Sequence, residues 1–267
     1  MSIKPLILVT NDDGYQAGGI KALTETVRPL GDVLVVAPTE GQSGMSHAMT
    51  VKVPLRLEKR IEQPGFTLYT CNGTPTDCVK IALNRLINRH PDLLLAGINH
   101  GSNSSSSVLY SGTMAAAMEG CLYNIPGIGF SLTDHSSDAD FMPYMDIIRK
   151  MILAVSANGL QKGVCLNVNI PRIPVSEIKG IRVCRQTKGY WNEEFERHID
   201  PANREYFWLT GNFVNEEPCA EDTDEWALSR GYIAIVPVQI DMTAYDSLPA
   251  LKKLFRNTLK GCEINKL

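Results

Sequence analysis

The sequence predicts an α/β fold, a doubly wound, mostly parallel sheet carrying a C-terminal extension of β-hairpin type. Three observations predict it. Short apolar runs without alternation, at residues 6–9 (LILV), 32–37 (DVLVVA) and 92–96 (DLLLA), read as strands buried on both faces, the habit of a parallel sheet covered by helices. Helical apolar spacing lies between them, as at Ile20, Leu23, Val27 and Leu30. After Pro171 the pattern changes to short stretches rich in aromatic residues. The division expected is therefore a core over residues 1–172 and an extension over 173–267 holding a hairpin, a final strand and a helix.

In order, the first strand ends in Asn11-Asp12-Asp13-Gly14, and a helix follows Gly18-Gly19. The second strand stops at Pro38 and opens a polar loop, PTEGQSGMSHAMT. Val51, Val53, Leu55 and Leu57 alternate with polar residues and predict a half-buried strand, with another over 66–71. Thr74-Pro75-Thr76-Asp77 has the order of a helix start: Thr74 as N-cap, Pro75 at the first helical position, and Asp77 near the positive end of the helix. Val79, Ala82, Leu83, Leu86 and Ile87 supply that helix's buried stripe, and His90-Pro91 ends it. Capping alone explains every residue of this start. The third strand runs into GINHGSNSSSSVLYSGT and an alanine-rich helix over 113–121. A strand over 125–132, a helix over 142–157 with Met145, Ile148, Ile152 and Val155 inward, and a strand over 164–170 complete the core. Beyond it, residues 180–187 and 205–211 read as antiparallel strands, 225–229 as a short helix, 232–240 as a strand, and 248–259 as the last helix, ending near Gly261.

The totals narrow the function. Hydrophobic residues make up 44% of the 267, enough for a substantial core, and the net charge of −3 offers no general attraction to a nucleic-acid duplex or an anionic membrane. Seven cysteines are scattered without a CxxC or CxxH cluster, the usage of reduced thiols in a cytoplasmic protein. No segment approaches the ~20 apolar residues that cross a bilayer. A small phosphorylated substrate remains open, since it needs only local positive potential or a cation.

Three strand ends carry unusual loops: 11–14, 39–50 and 98–113. In a parallel sheet all three lie at one edge, where ligands of such folds bind. The loops offer oxygen donors, Asp12, Asp13, the Ser43 hydroxyl and the Asn99 amide, but no cysteine and little histidine. Taken alone, Asp12-Asp13-Gly14 is either a solvated turn or half of a cation site. As a set, the oxygens suit a hard cation such as Mg²⁺ or Mn²⁺ better than zinc. Ser111-Gly112-Thr113 starts a helix and reads either as an ordinary cap or as an anion site for a phosphoryl group.

TNDDG, APTEGQSG, NGTPTDCV, AGINHGSN and YSGTMAAAMEG, in this order and at these strand ends, resemble the SurE family of metal-dependent nucleotidases. TDEWALSRGYIAIVPVQIDMT extends the resemblance over essentially the whole chain. It implies a Rossmann-like core, and a hairpin exchanged between subunits of a homodimer or homotetramer. The implied activity is phosphate release from nucleoside 5′- and 3′-monophosphates, with short polyphosphate as a further substrate. It also implies one divalent cation per subunit, held by Asp12, Asp13, Ser43 and Asn99, with Asn11, Asn103, Ser111, Gly112 and Thr113 at the phosphate. Where relatives show GxNxGxDV this chain reads GSNSSSSV, placing Ser105 for glycine and Ser107 for aspartate; the first restricts the loop if positive φ is needed there, and the second removes a charge.

The chemistry expected is metal-assisted hydrolysis of a phosphomonoester, with the helix start at Ser111–Thr113 orienting the phosphate. His100 and His47 lie in the right loops to protonate a leaving alkoxide, and each reads equally as a surface residue. Two other readings stay open. A dehalogenase-type phosphatase would need its two aspartates spaced as DxDxT, and here they are adjacent. A non-catalytic nucleotide or metal sensor would bind without turnover.

Overall fold

The computed structural model describes residues 4–192 and 194–256. Strand β1 (Leu6–Thr10) is followed by α1 (Gly18–Val27), β2 (Asp32–Pro38), β3 (Leu57–Gln63), β4 (Phe66–Cys71), α2 (Pro75–Ile81), β5 (Leu93–His100) and α3 (Gly112–Leu122). Then come β6 (Gly127–Leu132), α4 (Met145–Asn158), β7 (Val164–Ile170), β8 (Ile181–Val183), β9 (Gly189–Asn192), β10 (Phe195–Ile199), β11 (Glu205–Leu209) and β12 (Asn212–Asn215). The chain closes with α5 (Asp224–Ser229), β13 (Ile233–Gln239) and α6 (Leu248–Phe255).

The main sheet has nine strands in the order β3-β4-β2-β1-β5-β6-β7-β13-β8. From β4 to β7 every neighbouring pair is parallel, while β3 and β13 run antiparallel to β4 and β7. Alternate residues of each central strand face opposite layers. Ile7, Val9, Val33, Val35, Leu93 and Leu95 pack toward α1 and α4. Leu8, Leu34, Val36, Leu94 and Ala96 pack with Cys78 and Val79 of α2 and Ala116 of α3. Each fully buried side chain of this size contributes about 1.5–3 kcal/mol, so the unbroken apolar runs dictate a three-layer sandwich. The chain passes outward through β2 to β4 and then returns to β5, so the order reverses between β1 and β5, where ligands of such sheets bind.

Several elements differ from expectation. The alternating residues 51–56 lie outside the sheet, with Val51 and Val53 exposed, and the strand starts only at Leu57. Thr50 N–H donates to Asp77 and Arg56 N–H to Asn72 Oδ1, so the stretch between is strung over the surface before β4 offers a partner. The helix at Thr74 has the predicted caps but gives way to a π-helical turn over Ala82–Leu86, short of His90. The third strand runs beyond Ala96 to His100, with a register shift against β6 between Ala96 and Asn99. Of residues 180–187, only β8 is a strand, and it pairs parallel to β13. The last helix reaches Phe255; the remainder of the predicted one lies outside the described residues.

The extension is partly built into the core, because β8 and β13 complete the main sheet. What projects is an arm. β9 pairs with β12 and β10 with β11 in a single register, Asn192 opposite Asn212 and Phe195 opposite Leu209. Thr210 N–H donates to the Glu194 carbonyl at 2.7 Å between the two ladders, so they are inner and outer parts of one long hairpin.

Candidate active site

Strand β1 delivers its polar end into a nearly dry corner. Thr10, Asn11 and Asp12 are buried, although they follow directly on the apolar run. Asn11 Nδ2 donates to the Gly14 carbonyl at 2.8 Å and closes the turn. Gly14 takes φ +92°, a region side chains avoid, and so turns the chain back beside Glu40. Gln42 N–H donates to the Asp12 carbonyl at 2.7 Å, which draws the second strand-end loop onto the first. Ser43, next in sequence, is exposed on that loop.

The Asp12 carboxylate is 3% exposed and accepts a 2.5 Å bond from Thr113 Oγ1. Burial pushes its pKa up to about 6; the Thr113 hydroxyl works against that rise and the Asp13 charge adds to it. Asp13 is raised as well, chiefly by burial, against the lowering effect of the His100 backbone N–H, which reaches it at 3.2 Å. Two adjacent carboxylates short of donors are the condition a cation relieves.

Asn99, near the end of β5, uses its amide nitrogen on the carbonyls of His100 (3.1 Å) and Gly101 (2.8 Å). Its Oδ1 is the function left for a ligand. Asn11 Oδ1 is buried with no hydrogen-bond partner among the described residues. Among the described residues, no group of three or more His, Cys, Asp or Glu side chains is placed to hold a metal. The corner's donors are carboxylate, amide and hydroxyl oxygens, and that chemistry fits a hard cation.

The third loop brings helix α3 to the same corner. Gly112 lies against Asp12: a Cβ there would sit 2.8 Å from Asp12 Cβ and 3.0 Å from Oδ2. Only glycine lets the first turn of the helix come this close. Ser111 caps α3, its Oγ accepting from Met114 N–H at 3.0 Å, and Thr113 gives its hydroxyl to Asp12. The helix start thus orients a carboxylate as well as presenting its positive end.

His100 Nδ1 meets the Ser136 carbonyl at 2.9 Å, with the ring edge-on to Phe141. A carbonyl only accepts, so Nδ1 carries the proton and Nε2 remains available. His47 is turned elsewhere, its Nε2 3.0 Å from Glu119 Oε2 on α3.

Asn103 is knitted into a buried amide network. Its Nδ2 donates to Ser131 Oγ (2.9 Å), its N–H to Asn169 Oδ1 (2.8 Å), and its carbonyl accepts from Asn167 Nδ2 (2.8 Å). Ser105 adopts φ +52°, the conformation anticipated for glycine at that position. Its N–H donates to Asp224 Oδ2 at 2.8 Å and its Oγ to the Thr187 carbonyl at 2.9 Å, bonds that offset the unfavourable backbone. Ser107 closes the following turn through its N–H to the Ser104 carbonyl.

Some contributors gave no functional signal in the sequence. Thr74 and Asp77 cap α2, as their order indicated, and also hold the Ser43 loop through the Ala48 carbonyl and Thr50 N–H. Asp224, fully buried, ties Ser105 to Thr187.

The chain is similar to known proteins over most of its length. Residues 7–193 match the family model described as survival protein SurE. A Christiangramia forsetii protein named 5'-nucleotidase SurE is 54% identical over 244 residues, covering 91% of this chain and 94% of that one. A protein of the same name from Flavobacterium psychrophilum is 51% identical over 249 residues, covering 93% and 96%. The crystal structure of a SurE protein from Aquifex aeolicus superposes with a TM-score of 0.81 at 36% identity, covering 94% of this chain and 99% of that one. With the family model matching well over half of its length and these relatives spanning nearly all of it, the chain belongs to the SurE family.

Proposed function

We propose that the protein is a divalent-metal-dependent phosphomonoesterase, a 5′-nucleotidase that converts nucleoside 5′-monophosphates to nucleoside and phosphate. Nucleoside 3′-monophosphates and short polyphosphate are further substrates in this reading. The observation that carries it is the adjacent Asp12–Asp13 pair, Asp12 buried and Asp13 half-buried, with Asp12 set against the start of α3, in a chain about half identical to proteins named 5'-nucleotidase SurE.

Asp12, Asp13, Asn99 and Ser43 would hold one Mg²⁺ or Mn²⁺ per subunit. When bound, the cation supplies charge neutralisation and a water of lowered pKa. Thr113 keeps Asp12 oriented, so the carboxylate needs little reorganisation on meeting charge. The α3 start at Ser111, Gly112 and Thr113 receives phosphate oxygens, its backbone N–H groups and dipole favouring the anion. Asn11 adds its buried carbonyl oxygen to the corner and Asn103 stiffens the adjoining loop. His100, with Nδ1–H held on the Ser136 carbonyl, would act in its imidazolium form, giving the Nε2 proton to the leaving alkoxide and keeping the Nδ1 proton. A carboxylate committed to a cation is deprotonated and has no proton to give, which leaves this role to the histidine.

The exposed aromatic side chains of the arm support a homodimer or homotetramer formed through the hairpin. The reading places the enzyme in the cytoplasm, in keeping with the free thiols of the described cysteines.

The test is phosphate release from a panel of 5′- and 3′-nucleoside monophosphates with Mg²⁺, Mn²⁺ or EDTA, beside Asp12→Asn and Asp13→Asn. Metal-dependent release that both substitutions abolish is the expected result. Nucleotide binding without release under any metal would replace the enzyme with a sensor.

A further inference from the structure

The strand-end loop at 39–50 carries Ser43 yet has no secondary structure of its own. Its Ser46 and His47 turn toward α3 and the segment that precedes it: Ser46 Oγ donates to the Leu109 carbonyl at 2.7 Å and Ser46 N–H to the Tyr110 carbonyl at 3.1 Å. His47 meets Glu119, a carboxylate 1% exposed on an otherwise small and apolar helix. Glu119 has a second partner, Lys80 of α2, at 2.7 Å. A buried carboxylate is costly unless paired and hydrogen-bonded, and the reaction described above makes no use of this one.

We infer that Glu119, with Lys80 and His47, is an ionic clamp that positions the Ser43-bearing loop beside the Asp12–Asp13 pair. The inference rests on the reading of this corner as a metal-dependent phosphatase site. The clamp joins three elements, and its two cationic partners have different tasks. Lys80 compensates the buried charge from a neighbouring helix, independently of the loop. His47 is the loop's own contribution and sits at the clamp's outer edge, 36% exposed. Burial pushes Glu119 upward, but the bonds from His47 and Lys80 together bring it below the usual carboxylate range, so the charge persists where it is needed.

The remaining anchors fit the same purpose. Thr74 Oγ1 donates to the Ala48 carbonyl at 2.7 Å, and Asp77 accepts Thr50 N–H at 3.1 Å. On the other side of Ser43, Gln42 N–H is bound to the Asp12 carbonyl at 2.7 Å. The loop is thereby tied on both sides of Ser43, and through His47 Nε2 one of its own side chains reaches a buried charge. His47 is a positioning residue in this scheme and touches no reacting atom.

The experiment compares wild type with His47→Ala and His47→Gln, both substitutions falling at an exposed position that spares the core. Hydrogen exchange is followed by mass spectrometry in peptides spanning 39–50. Mn²⁺ affinity is measured by electron paramagnetic resonance without nucleotide, and kcat and KM with a nucleoside 5′-monophosphate. His47→Ala is expected to speed exchange in 39–50 by about tenfold, the effect of losing a charge-assisted hydrogen bond. It is also expected to weaken Mn²⁺ about tenfold, the lower end of what outer-shell partners contribute, and to lower kcat more than it raises KM. His47→Gln, whose Nε2 can reach the same carboxylate, is expected to restore each value to within about twofold. Unchanged exchange in 39–50 would show that the clamp does not hold the loop and would overturn the proposal. Faster exchange with unaltered Mn²⁺ affinity and kcat would overturn the positioning role. A wild type that binds no Mn²⁺ counts against the metal reading of the corner, and the exchange rates then decide the clamp by themselves.

Discussion

The strand-end corner and the hairpin arm place their residues on opposite terms. At the corner, polar groups are buried and tied: Asp12 to Thr113, Asn11 to Gly14, Asn103 to Ser131. Along the arm, large apolar groups are exposed: Phe195 at 66%, Trp208 at 63% and Leu209 at 71%. Buried polar groups without partners and exposed apolar patches are both costly, so each region indicates what it lacks. At the corner two adjacent carboxylates are raised by burial, a condition that a cation relieves in the proposed reading. The arm lacks a surface to cover its aromatics, which its own two-stranded ladder cannot provide.

Outside the proposed metal ligands, the largest effect is expected at Gly112. Gly112→Ala would push α3 off the Asp12 carboxylate, and a displacement near 1 Å costs about 100-fold in rate. Phosphate release should fall by that order while thermal unfolding moves little; unaltered turnover would show that the helix need not lie so close. On the arm, Trp208→Glu puts a charge on the exposed aromatic face. Sedimentation velocity should then report a monomer whose circular dichroism matches the wild type, and an intact assembly would remove the arm from the contact.

A smaller effect separates buried charge at the corner's edge from charge on the surface. The pKa of Glu119 is depressed in the folded protein from the ordinary value of 4.5. Its stabilisation is therefore present above pH 4.5 and disappears as pH falls through the lower folded value. Partners about one-third exposed screen the pair, leaving an advantage of about 1 kcal/mol over Glu119→Gln at pH 7. Urea titrations of the two proteins should converge on acidification; a constant gap would mean that the carboxylate's charge is not what stabilises the clamp.

The smallest effect concerns Ser105. Ser105→Gly relieves the left-handed backbone while losing the Thr187 bond, so the two nearly cancel, whereas Ser105→Ala loses the bond alone and should cost about 1 kcal/mol. Chemical denaturation would reveal the order, and equal losses would show that backbone strain plays no part.

The legibility of this molecule follows the range of its interactions. Runs such as LILV and DVLVVA dictate buried parallel strands through local pattern, and loops at their ends converge by topology alone. The strand-end placement of Asp12, Asp13 and Asn99 was legible because each lies within a few residues of those runs. Residues 51–56 were not, since alternation marks a strand only where a neighbouring strand offers hydrogen bonds, and here the segment is strung between Asp77 and Asn72. The antiparallel reading of 180–187 failed for a related reason: three residues find β13 as a partner, and the rest belong to the ties around Asp224. The second tasks of Thr74 and Asp77 stayed hidden behind their capping, because one pattern served both purposes. His47 and Glu119 are 72 positions apart, and no local pattern joins them.

The most direct measurement is phosphate released from a nucleoside 5′-monophosphate by the wild type, first with EDTA and then after Mn²⁺ is restored, against Asp12→Asn under the same conditions. Release that stops with EDTA, returns with Mn²⁺ and falls about 10³-fold in Asp12→Asn is the predicted result. Release that persists through EDTA, or survives in Asp12→Asn, would contradict the assignment of this corner as the metal-dependent site.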